Sequence, residues 1–273
     1  MSLWVDGVLV AEDQPVIRAD DHGLVVGDGV FETCEVKDGV VFALTRHLRR
    51  LRDSARGLGL DIDEALIRSG VDAVLDDRPA WARLRITVTG GPSPYGSERG
   101  TATPTVIVAT AAMHAWPPTT DVAVVPWVRN ERAATAGLKT TSYADNVVAL
   151  AWAKKRAAEE AIFANTRGEL CEGTGSNVFV ERDGRLVTPP LTSGCLGGIT
   201  RELLLEWLPG EIDECALPIG ALAEAGEAFI TSTTRSVLAI RAVDGVQLAE
   251  SPGPLTRHAA EVFAERAAAD PDP

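Results

Sequence analysis

The sequence predicts an α/β protein in two domains, and three features of its 273 residues predict it. Short apolar runs flank Asp-Gly pairs, the signature of antiparallel hairpins. Elsewhere apolar residues recur three and four positions apart, the spacing of a buried helical stripe. Near mid-chain, Ala115-Trp-Pro-Pro-Thr-Thr120 interrupts both patterns, because proline has no N–H for a strand ladder and is excluded from a helix interior. The domains are placed at 1–114 and 121–273, with 115–120 as the linker.

The elements follow in order. Leu3 to Val5 and Val8 to Val10 flank Asp6-Gly7, and Glu35-Val36 and Val40-Val41 flank Asp38-Gly39, which gives two hairpins. Leu44, Leu48, Leu51, Ala55 and Leu58 form one helical stripe, ended by Gly57 and Gly59, and a second helix runs from Glu64 to Leu75. In the strand Trp81 to Thr89, Ala82, Leu84, Ile86 and Val88 alternate with Arg83, Arg85 and Thr87, so both arginines share one face. Val106 to Ala112 is the next apolar run. Beyond the linker come strand Val122 to Val125, a loop holding Lys139, and an Ala-rich helix from Tyr143 to Glu160 with Val147, Val148, Ala151 and Trp152 as its apolar face. Short strands then turn at Thr166-Arg-Gly-Glu169 and Arg182-Asp-Gly-Arg185. Thr200 reads as a helix N-cap, and a last helix, Thr256 to Ala269, ends in a frayed Asp-Pro-Asp-Pro tail.

Composition narrows the function. Twenty-six Lys and Arg against 39 Asp and Glu leave a formal charge of −13, which would repel a nucleic-acid backbone. Cys34, Cys171, Cys195 and Cys215 are dispersed, with no C-x-x-C pair and no clustered His, so neither a metal site nor a disulfide framework is expected. They read as reduced thiols of a cytoplasmic protein. No stretch is apolar enough to cross a bilayer, and small-molecule chemistry is the remaining class.

The scarce residue is lysine: only Lys37, Lys139, Lys154 and Lys155 occur. Lys37 adjoins a turn, and Lys154 and Lys155 lie mid-helix, positions that favour solvation. Lys139 sits among small and hydroxyl residues in Ala-Gly-Leu-Lys-Thr-Thr-Ser-Tyr, where burial would leave the amine neutral for Schiff-base formation, although by composition alone a loop lysine is a surface residue. Glu172-Gly-Thr-Gly-Ser-Asn177 lets backbone and carboxylate approach a flat ligand, and equally reads as an ordinary Gly-rich turn. Leu196-Gly-Gly-Ile-Thr200 leads into a helix whose N-terminus suits a phosphate, or is simply a capped end.

Together these segments resemble the class IV aminotransferases, the fold-type IV enzymes that use pyridoxal 5′-phosphate. The resemblance runs from Gly27-Asp-Gly-Val-Phe-Glu-Thr33 through His47-Leu-Arg-Arg-Leu-Arg-Asp-Ser-Ala55, Lys139, Glu172 to Asn177 and Gly198-Ile-Thr-Arg201 to Thr231-Ser-Thr-Thr234. It implies a small N-terminal α/β domain, a larger C-terminal α/β pseudo-barrel, the cofactor between them, and a homodimer. By the same resemblance Lys139 forms the internal aldimine and shuttles the proton, and Glu172 keeps the pyridine nitrogen protonated. Arg50 matches the phosphate-binding arginine, although composition alone makes it one solvated arginine among Arg46, Arg49, Arg52 and Arg56. Ile199 and Thr200 add phosphate donors, Thr233 and Thr234 close the other side, Asn177 is a further cofactor contact, and Tyr143 touches the phenolic oxygen.

The substrate end departs from the family. Branched-chain enzymes carry tyrosine at the position of Val26 and D-amino acid transaminases carry it at Phe31, and neither phenol is present. With Phe31 beside the substrate, the carboxylate falls to Arg83 or Arg85, with Arg18, His22, Arg129 and Arg235 as further candidates. Two reactions share this machinery. One moves an amino group from an amino acid, D or L, to a keto acid such as pyruvate or 2-oxoglutarate; the other releases pyruvate from 4-amino-4-deoxychorismate. The first is the broader default of the family.

Overall fold

The computed structural model describes residues 1–273 and divides into two compact units. The first comprises Met1–His114, Leu138–Tyr143 and Pro271–Pro273; the second comprises Ala115–Gly137 and Ala144–Asp270. Two segments read from sequence as part of the second domain, the Lys139 loop and the chain end, thus pack with the first. The linker is also shorter than 115–120, because Thr119 and Thr120 already pair with a neighbouring strand.

The first unit carries β1 (Ser2–Val5), β2 (Val8–Val10), β3 (Gly29–Lys37), β4 (Val40–Val41), β5 (Trp81–Thr89) and β6 (Thr105–Ala112), with helices α1 (His22–Val25), α2 (Leu44–Leu58) and α3 (Glu64–Val74). Its antiparallel sheet has the order β2-β1-β6-β5-β3-β4. Both Asp-Gly turns are hairpins whose two central residues adopt positive φ: 45° and 100° at Asp6 and Gly7, 50° and 78° at Asp38 and Gly39. Strands β3 and β5 pair so that Val30, Glu32, Cys34 and Val36 face the same side as Val88, Ile86, Leu84 and Ala82. That side meets Leu48, Leu51 and Ala55 of α2 in the core. Phe31, with Thr33 and Glu35, shares the opposite face with Arg83, Arg85 and Thr87.

Gly59, with φ +68°, ends α2 as expected, but Gly57 lies inside the helix. A Cβ there would stand 2.7 Å from the Leu138 methyls, so this glycine admits the chain segment that carries Lys139. The chain end is docked rather than frayed. Helix α2 begins after Ala43, which has no side chain to cap it. Asp272 supplies the cap, accepting from Thr45 N at 2.9 Å and Thr45 Oγ1 at 2.6 Å, while Pro271 O takes the Ala43 N–H at 2.7 Å. Deleting Pro271–Pro273 should therefore lower stability by about 1 kcal/mol, with Asp272→Ala reproducing most of the loss in urea unfolding. Unchanged midpoints would show that the tail caps nothing.

The second unit carries β7 (Thr119–Arg129), β8 (Glu160–Asn165), β9 (Leu170–Gly173), β10 (Asn177–Arg182), β11 (Arg185–Thr188), β12 (Ile212–Glu214), β13 (Ala228–Ser232), β14 (Ser236–Val243) and β15 (Val246–Gln247). Its helices are α4 (Ala144–Lys154), α5 (Ile199–Trp207), α6 (Ala221–Glu224) and α7 (Pro254–Ala269). The mixed sheet runs β12-β11-β10-β13-β14-β7-β8-β9, with β15 on β14. β7 and β8 are parallel, and α4 is their crossover. That role corrects two expectations. The helix stops at Lys154, because Ala157 turns left-handed and Glu160 already starts β8. Its buried face is Asn146, Ala149 and Ala153, small enough to lie close on the sheet, while Val147 and Val148 are 65% and 53% exposed.

Candidate active site

In the first unit the sequence-selected side chains gather around one aromatic ring. Lys139 lies in an irregular segment pinned at its backbone: its N–H donates to Ser54 Oγ of α2 at 3.1 Å, and its carbonyl accepts from Phe31 N of β3 at 3.1 Å. The half-buried Lys139 Nζ stands 4.4 Å from the Phe31 ring centroid. Tyr143 meets the same ring edge-on at 5.2 Å, and the Arg85 guanidinium lies 3.4 Å from its centroid. The β3–β5 register places Phe31 and Arg85 on one face, and Lys139 and Tyr143 arrive there on the segment whose Leu138 packs against Gly57.

Arg85 stands apart from the other cationic candidates. Its only side-chain hydrogen bond is from Nε to Thr87 Oγ1 at 3.1 Å, and no carboxylate pairs with it. Burial lowers its pKa to about 10, against the pull of Tyr143 and Glu32. Arg83 on the same face is exposed. The remaining candidates each have an acid: Arg18 pairs with Asp20, His22 with Asp28, Arg129 with Glu172 and Arg235 with Glu160.

Arg50 is turned inward, its side chain 14% exposed against 50% for Arg52 and 75% for Arg56. Its Nε and Nη2 both donate at 2.7 Å to Glu32, a carboxylate fully buried on the core face of β3. His47 Nδ1 lies 2.6 Å from the same acid. Burial works to raise the Glu32 pKa, but the Arg50 charge and hydrogen bonds, then those of His47, outweigh it and hold the acid well below the usual carboxylate range. Burial lowers the His47 pKa against the opposing pull of Glu32, which favours a neutral imidazole donating from Nδ1. Sequence reading missed Glu32. Its signal was a carboxylate on the apolar alternation Val30, Cys34, Val36, where an acid needs a buried cation.

In the second unit Glu172 lies in β9, and its Oε2 accepts from Leu196 N at 2.9 Å. Its Oε1 lies 3.0 Å from Arg129 Nε, an ion pair off the line of a hydrogen bond. Arg129 is held in turn by Asn146 Oδ1 at 2.9 Å and by the Phe163 ring. Asn177 Nδ2 donates to Leu196 O at 2.8 Å, so Glu172 and Asn177 grip the same residue just before α5. A Cβ at Gly198 would stand 2.0 Å from Asn177 Oδ1. Gly198, not Thr200, is the N-cap; Ile199 and Thr200 are buried in the first turn, which has no side-chain cap. Thr233 and Thr234 form the turn between β13 and β14, next to the buried, unpartnered hydroxyls of Thr231 and Ser232.

A family model, amino-transferase class IV, matches residues 29–243. The chain is 32% identical to a putative branched-chain-amino-acid aminotransferase of Methanocaldococcus jannaschii, covering 90% of this chain and 88% of that protein. It is 30% identical to a D-alanine aminotransferase of Bacillus licheniformis, over 94% of each. A hypothetical aminotransferase from Mycobacterium tuberculosis, solved in its PLP-bound form, superposes with a TM-score of 0.85 at 27% identity, covering 97% of this chain and 98% of that one. The chain belongs to the class IV aminotransferases: it is a pyridoxal 5′-phosphate-dependent transaminase of fold type IV.

The residues present fit that cofactor. The uncapped first turn of α5 and the two orphaned hydroxyls of β13 are donors without acceptors, as a phosphate cup requires. The scarce lysine, held by its backbone beside an aromatic ring, suits a carbonyl-trapping amine.

Proposed function

We propose that Lys139 is the amine that carries the cofactor and then moves the proton at the substrate's α carbon, and that Glu172 faces the ring nitrogen. Arg50, Ile199, Thr200, Thr233 and Thr234 hold the phosphate, Tyr143 the phenolic oxygen, and Asn177 fixes the approach to α5. When bound, the cofactor supplies an electron sink for the charge left at the α carbon. Arg85, over the Phe31 ring, takes the substrate carboxylate, and Arg83 is set aside as exposed. One observation carries this assignment: a largely buried guanidinium without an acid, in the cluster that holds Lys139, is a charge awaiting an anion.

The reaction is amino transfer from an amino acid to a keto acid such as pyruvate or 2-oxoglutarate. Its test is a half-reaction screen in which separate D- and L-amino acids are offered to the holoenzyme. Bleaching of the visible band by one enantiomer, and recovery with a keto acid, names the donor. An unbleached protein that releases pyruvate from 4-amino-4-deoxychorismate would replace this reading with the lyase. Arg85→Leu should keep the cofactor band and raise KM for the donor about 10- to 100-fold, the worth of a charged hydrogen-bonded pair. An unchanged KM removes Arg85 from the substrate site.

A homodimer in the cytoplasm completes the proposal. Supporting it, β7 and α4 expose Trp127, Val128, Val147 and Val148, no helix is long and apolar enough to cross a membrane, and all four cysteines are free. The particle mass in solution and cell fractionation check the two statements.

A further inference from the structure

Glu160, at the start of β8, is fully buried, and the chemistry assigned above does not use it. Its carboxylate is nevertheless saturated. Oε1 accepts from Ala161 N at 3.0 Å, from Thr174 N at 3.0 Å and from Thr174 Oγ1; Oε2 accepts from Ser176 Oγ at 3.1 Å and from Arg235 Nη1. Thr174 and Ser176 belong to the loop that follows Glu172 and leads into Asn177, and Arg235 closes the turn that contains Thr233 and Thr234. One acid therefore ties together two segments lying far apart in sequence, both drawn from the proposed cofactor residues of this unit.

The packing leaves no slack in this tie. A Cβ at Gly173 would stand 2.2 Å from Ser176 Oγ and 3.2 Å from Glu160 Cδ, so the loop folds directly onto the carboxylate. On the other side the Arg235 guanidinium is braced 4.5 Å from the centroid of the Trp116 ring. Arg235, a candidate for substrate carboxylate binding by sequence, is already committed to Glu160.

We propose that Glu160 is a positioning residue: through Thr174, Ser176 and Arg235 it presets the 172–177 loop and the 232–235 turn in the geometry that receives the cofactor. Without the acid, the loop hydroxyls and the Arg235 guanidinium lose their common acceptor, and the ordering they would otherwise bring is deducted from cofactor affinity. This inference rests on the cofactor assignment above. It differs from a purely structural role in what it predicts, because stability and cofactor affinity then part company.

The experiment titrates apo-enzyme with pyridoxal 5′-phosphate and follows the visible band and the phosphorus resonance. The wild-type protein sets the baseline; if it gives no band, the cofactor assignment falls and this inference with it. Glu160→Gln should bind cofactor about 10- to 100-fold more weakly, the fold-change that corresponds to weakening a charged hydrogen-bond set. Its phosphorus resonance should shift or broaden, while KM for the amino donor at saturating cofactor stays near the wild-type value. Should Glu160→Gln not fold, Ser176→Ala removes a single donor and should still weaken binding severalfold. Cofactor affinity within about twofold of wild type, with only the melting temperature lowered, overturns the proposal.

Discussion

Lys139→Ala is expected to lose the covalent cofactor band and to slow turnover by about a thousandfold or more, since the proposed assignment makes one amine both carrier and proton shuttle. No other lysine can replace it. Lys37 is exposed and paired with Glu35, and Lys154 and Lys155 are exposed at the end of α4. The backbone contacts that hold the segment, from Lys139 N to Ser54 and from Phe31 N to Lys139 O, survive the substitution. Circular dichroism should therefore be unchanged while the absorbance disappears. A variant that keeps both band and turnover would exclude Lys139 as the carrier.

Glu172→Gln should separate binding from chemistry. Glutamine can still accept the Leu196 N–H, so the approach to α5 and the cofactor should be retained. What is lost is the negative charge that balances Arg129 and would hold the proton on the ring nitrogen. A slower kcat by about 10²- to 10⁴-fold, with the cofactor still bound, is the expected result. Near-normal turnover would remove Glu172 from that role. Loss of the cofactor altogether would assign its main work to balancing the Arg129 charge instead.

Much of the fold was legible because it obeys local rules. The two Asp-Gly hairpins, the α2 stripe and the alternation of β5 depend on residues adjacent in sequence or one helical turn apart. The same periodicity was enough to put Arg83 and Arg85 on one face. It could not say which of them is enclosed, since that depends on Phe31 lying against one guanidinium. Local pattern also misplaced the apolar face of α4. Side-chain size decided the matter: alanines pack closer to the sheet than valines, and the valines were left outside.

Sequence alone pointed to the class of chemistry through a resemblance: the segments around Arg50, Lys139 and Glu172, each ambiguous by itself, follow one another in the order of the class IV aminotransferases. Only the tertiary structure decided the charges behind them. Glu32 beneath Arg50, Arg129 against Glu172, Glu160 beneath Arg235 and Asp272 at the head of α2 are all partners remote in sequence. An ion pair or a cap formed across a fold leaves no periodicity, because its strength depends on distance and burial in space and not on spacing along the chain.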